Sequence, residues 1–196
     1  MAGEIIDGIG QGYRAKVNAN NALEVQAVSV DTETAASERG DGYSIDSGLI
    51  AYTGTSSSSL LYLKNNEDRD LILTRMYISI GNVTATVTDI PYLTIVRDPT
   101  GGDVITDATD APNHTNRNFG SSKTLTADAY IGKDGGTVTG GDEFLVTQLT
   151  APDRHVFDDD IILPKGSSVG VKINVNTSGG ATVHGAMVCY LRDENE

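Results

Sequence analysis

Gly8, Gly10 and Gly12 fall at alternate positions just after the apolar pair Ile5-Ile6, a spacing that invites comparison with a phosphate-binding loop. Such a loop works because its backbone amides, and those opening the helix that follows, converge on a phosphate. No helix start follows these glycines. Leu23, Val25 and Ala27 instead alternate with Glu24, Gln26 and Val28, a strand period. The place of the third glycine of the dinucleotide fingerprint is held by Tyr13. A second fragment, "NFGSSKT" from Asn118 to Thr124, lacks glycine at Arg117 and Ser122, where a Walker loop builds its cradle. Neither stretch reads as a nucleotide site.

Carboxylates, imidazoles and the thiol are the other groups whose types could do chemistry. Asp158, Asp159 and Asp160, with Asp153 nearby, form the densest acidic run. Converging oxygens bind calcium, but neither the Asp-x-Asp-x-Asp-Gly spacing nor a bidentate Glu is present, so the run reads as a solvated turn. His114, His155 and His184 stand in no metal-ligand spacing. There is no Gly-x-Ser-x-Gly elbow, and no carboxylate pair stands out. Cys189, the single cysteine, lies in the apolar stretch "HGAMVCYLRD" and reads as a buried, inert thiol. The Arg39-Gly40-Asp41 tripeptide and the N-x-[ST] matches at Asn82, Asn113 and Asn176 read as coincidences of composition. The expectation is a protein without catalysis, cofactor or metal.

The elements that must position these groups are strands. The 196 residues include 22 Gly, eight Tyr, three Phe and no Trp, and they are rich in Thr, Ser, Val and Asn. Helix formers dominate no long window, whereas β-branched runs are broken repeatedly by turn residues. A net charge of −13 repels polyanions on average, which argues against nucleic acid or an anionic membrane as partner. No apolar run is long enough to span a bilayer, and "MAGEIIDGIG" has no signal-peptide character.

Along the chain, residues 1–30 read as an N-terminal arm with a short β-hairpin turning at Asn18, Asn20 and Asn21. Residues 31–42 read as a linker, in which Asp31 or Thr32 caps one short helix that Gly40 ends. Residues 43–196 read as about eight strands spaced by turns. In "LILTRMYISIGNV" Ile72, Met76, Ile78 and Ile80 share one face, while Leu71 and Leu73 add apolar cover to the other. "TDIPYLTIVRDPTGGDVITDA" reads as a strand pair starting near Pro91, and residues 106–120 as a long surface loop. Val169, Val171, Ile173 and Val175 alternate cleanly, and the last strand runs from Val183 to Leu191. The fold class expected is all-β, an antiparallel β-sandwich of jelly-roll type with an extended N-terminal arm.

The residues Asp7, Gly8, Gly10, Gly12, Tyr13, Ala15, Lys16 and Val17, followed by Asn20, Asn21 and Leu23, make the chain similar to a set of tailed-bacteriophage virion proteins. In these an Asp-Gly-x-Gly-x-Gly-Tyr-x-Ala-Lys-Val stretch precedes a β-sandwich. "LLYLKNNEDRDLIL", "NRNFGSSKTLTADAY" and "ILPKGSSVGVKI" resemble their bodies. The resemblance implies a virion component, such as a head decoration (cement) protein bound to the major capsid protein or other virion subunits. A neck, tail or fibre subunit is the other expectation. Homo-oligomerisation follows by default, and a trimer suits the local axes of a shell. Gly8, Gly10, Gly12, Tyr13, Arg14, Leu23 and Val25 are then the partner-binding residues. A Gly-rich arm recovers its ordering entropy by pairing with a neighbour's edge, Tyr13 buries its ring there, and Arg14 reaches an acidic surface. The alternative is host attachment through sugars stacked on Tyr43, Tyr52, Tyr92 and Tyr130.

Overall fold

The computed structural model describes residues 16–17, 23–24, 30–53, 56–81, 90–106, 114–150, 152–158, 160–176 and 179–192. The chain divides into two units, Met1–Asp31 and Thr32–Glu196. In the first, strands β1 (Lys16–Val17) and β2 (Leu23–Glu24) pair antiparallel, with Lys16 opposite Glu24 and Val17 opposite Leu23.

The second unit opens with helix α1 (Thr32–Glu38). Its end follows from Gly40, whose φ of 77° only glycine adopts at low cost. The Gly40 N–H donates to the Ser37 carbonyl at 3.0 Å and the Asp41 N–H to the Ala36 carbonyl at 2.8 Å, so two of the helix's last carbonyls find donors.

Eleven further strands follow among the described residues: β3 (Gly42–Tyr52), β4 (Ser58–Asn65), β5 (Leu71–Gly81), β6 (Tyr92–Arg97), β7 (His114–Asn116), β8 (Ala127–Ile131), β9 (Asp142–Gln148), β10 (Asp153–Phe157), β11 (Ile161–Leu163), β12 (Ser168–Asn174) and β13 (Ala181–Leu191). Helix α2 (Asp103–Thr106) lies between β6 and β7. One sheet has the order β10-β5-β13-β3-β7, with β11 also on β5, and the other β8-β4-β12-β6-β9. Every pairing is antiparallel. The two sheets pack face to face as the sandwich expected from turn spacing. Ile45, Leu61, Leu63, Ile78, Leu93, Val171 and Met187, each 0% exposed, fill the space between them.

The outer faces are covered in part. Ala36 of α1 packs on Ile72 and Tyr190 outside one sheet, and Val104 of α2 joins Tyr62, Val96 and Val138 outside the other. Ile72 thus lies opposite to its expected face. A bulge explains it, because Val188 pairs with Arg75 but Cys189 with Leu73, leaving Thr74 unmatched. One extra residue reverses inside and outside, so Leu71 and Leu73 share the interior with Met76, Ile78 and Ile80.

Two further expectations are corrected. The segment after the 98–102 turn forms α2 rather than the second member of a strand pair. Inside the supposed surface loop, His114–Asn116 forms β7 on the edge of β3.

Candidate interaction surface

Asp41 follows the end of α1, and its side chain is 3% exposed. Arg69 Nη2 and Lys123 Nζ each donate to its Oδ1 at 3.0 Å, and Arg39 Nε lies 3.7 Å from Oδ2. Burial alone would raise this carboxyl, but the hydrogen bonds and charges of Arg69 and Lys123 outweigh it and hold it below the ordinary range. The Arg39-Gly40-Asp41 tripeptide therefore turns its carboxylate inward to an ionic hub.

The same region fixes the loop after β7. Asn116 Nδ2 donates to the Gly40 carbonyl at 2.8 Å, and Asn116 Oδ1 accepts the Asn118 N–H at 2.9 Å. Asn118 Nδ2 donates to the Glu38 carbonyl at 2.9 Å, while its Oδ1 accepts the Gly120 N–H at 3.0 Å. The Ser121 N–H closes a turn onto the Asn118 carbonyl at 2.9 Å. The stretch compared with a Walker loop is thus a latched turn that leads to a strand, with no phosphate cradle. Phe119, at its tip, is 93% exposed.

The other candidate groups are not gathered. His114, His155 and His184 occupy β7, β10 and β13. His184 Nε2 lies 2.9 Å from Asp46 Oδ2, and the Thr150 N–H donates to His155 Nε2 at 3.0 Å. Asp158 pairs with Arg75, whereas Asp159 lies outside the described residues. Among the described residues no group of three or more His, Cys, Asp or Glu converges as a metal site. Cys189 is buried between the sheets, and burial pushes its thiol up to about 12. Among the described residues no helix is long and apolar enough to cross a membrane.

The tyrosines proposed for sugar stacking divide. Tyr43 and Tyr52 are core residues, 1% and 2% exposed, and Tyr52 donates to the Ser59 carbonyl at 2.8 Å. They cannot meet a ring from solvent, which corrects that expectation. Tyr130 stacks on Tyr62 with centroids 5.7 Å apart, and Tyr92 is half-buried. Of the expected arm contacts, Leu23 lies in β2, while Gly8, Gly10, Gly12, Tyr13, Arg14 and Val25 lie outside the described residues.

Sequence reasoning missed the exposed apolar groups. A groove of about 470 Å³ opens at one side of the sandwich, between β11 of one sheet and β6, β9 and β12 of the other. Its floor includes Ile95, Leu163 and Val169, and its rim carries Phe144, 62% exposed. Phe144 stands out because β9 is bulged there: Ile95 pairs with Leu145 but Val96 with Glu143, leaving Phe144 unmatched. The signal in the sequence is Phe119 alone in the polar stretch "NRNFGSS", whereas Phe144 opens the apolar run Phe144-Leu145-Val146. No protein-family model matches the chain, and no curated protein matches it.

Proposed function

We propose that this chain is a non-enzymatic structural subunit of a tailed-bacteriophage particle, and that it decorates and braces the head by binding to the major capsid protein. The observation that carries the reading is the N-terminal unit, Met1–Asp31, with its β1–β2 pair. It holds the glycine-rich residues through which the chain resembles those virion proteins.

The body supports the same reading. Strands β3, β4, β5 and β6 alternate between the sheets, as do β9 and β10, then β12 and β13. We read the order as that of a jelly roll, a scaffold used in capsids and in lectins. Burial of Tyr43 and Tyr52 weighs against the lectin-like alternative in a tail, neck or fibre.

In this reading the arm docks on the shell through Gly8, Gly10, Gly12, Tyr13, Arg14, Leu23 and Val25, and copies associate with one another. Stabilisation is additive, since many weak contacts repeated over a shell act through avidity. Deletion of residues 1–31 tests it. The truncated protein should unfold at the same temperature as the full chain yet fail to bind particles that lack this subunit. Undiminished binding would contradict the docking role.

A further inference from the structure

We propose that copies of this chain associate head to tail, with Phe119 of one copy seated in the groove between β9 and β11 of the next. The contact specifies the self-association in the reading above, but its geometry does not depend on a particle.

The two features lie at opposite sides of the sandwich. Phe119 follows β7, the strand at one end of the β10-β5-β13-β3-β7 sheet, whereas β11 pairs with β5 towards the other end. A knob and a hole on opposite sides of one molecule cannot meet in a self-complementary two-fold contact. They meet only heterologously, each copy giving its knob to one neighbour and its groove to another.

Shape, rigidity and charge agree. The groove of about 470 Å³ has room for a phenyl ring and is lined chiefly by apolar side chains. The knob is pre-organised: Asn116 and Asn118 tie its turn to the Gly40 and Glu38 carbonyls, so little loop entropy remains to be lost on binding. Arg117 and Lys123 flank it and stay 34% and 52% exposed beside their partners Glu33 and Asp41. Asp98 and Asp160 stand at the groove with one cation, Arg97, which already lies 3.3 Å from Asp98. In a chain of net charge −13, a basic knob against an acidic rim avoids the repulsion that two apposed grooves would meet.

Sedimentation velocity of the full chain over a concentration series tests this. The unaltered protein should assemble beyond the monomer. Phe119→Ala removes the knob and Phe144→Asp spoils the groove, and each should weaken assembly roughly 30-fold or more, as loss of an interface hot spot does. Phe144→Ser replaces Phe144→Asp if circular dichroism shows that variant unfolded. Mixing the knob variant with the groove variant leaves one intact contact, and the mixture should stop at a dimer. A monomeric unaltered protein, a Phe119→Ala protein that assembles normally, or a mixture that stays monomeric would each overturn the contact. Particle binding would then stand or fall on the arm deletion alone.

Discussion

Asp41 owes its charge state to Arg69 and Lys123, which lie 28 and 82 positions further along the chain. Its folded carboxyl titrates below the unfolded value, so its contribution to stability is complete above about pH 4 and is lost as pH falls through the lower folded value. Asp41→Asn should cost about 2 kcal/mol at neutral pH, the size of a charge-assisted hydrogen bond, and should flatten the acid decline. Urea unfolding at neutral and acid pH measures both. Equal stability of the variant and the parent at neutral pH would contradict the hub. Cys189 gives a second test at this scale. With its thiol pushed up to about 12, it should ignore a disulfide reagent in the folded protein and react fully in denaturant. Its burial was legible from the apolar residues around it. The role of Asp41 was not, because its partners become neighbours only on folding.

At the scale of the element, bulges separate what periodicity reveals from what it hides. Strand β12 was plain because Val169, Val171 and Ile173 keep one period and all point inward, 2%, 0% and 1% exposed. Strand β5 follows no single period because the unmatched Thr74 changes its phase halfway. Strand β3 changes phase too, at Gly48: Leu49 pairs with His184 but Asp46 with Ala186, and the Gly185 N–H donates to Ser47 Oγ at 2.8 Å. Gly48 has a φ of 67°, yet an added Cβ would meet nothing within 4 Å. Gly48→Ala should therefore cost about 1–2 kcal/mol by backbone strain alone, and Gly48→Asn less. Thermal unfolding of the two variants checks the order, which a steric cause would reverse. The helix α1 was legible from Thr32 and Gly40. Strand β7 was not, since "HTN" has no alternation and owes its form to the edge of β3.

For the whole molecule, turn spacing was enough to expect two antiparallel sheets, because each strand must bury one face against another layer. The strand order was beyond reach, since each central strand sits between partners distant in sequence, as β12 does between β4 and β6. The core formed by this order is continuous, so damage to it should be felt globally. Leu63→Ala should cost about 2–5 kcal/mol and lower a single cooperative transition, whereas Phe119→Ala should leave that transition unchanged at concentrations where the chain is monomeric. Differential scanning calorimetry separates the two. The exposed apolar groups, the charge distribution and the N-terminal unit are the features on which the proposed role in attachment rests.

The most direct measurement of that claim is the copy number of this chain in purified particles, relative to the major shell protein, by quantitative mass spectrometry. The decoration role predicts a ratio comparable to the shell protein. A few copies per particle would contradict it and move the chain to the neck, tail or fibres, and absence from the particle would contradict the virion assignment itself.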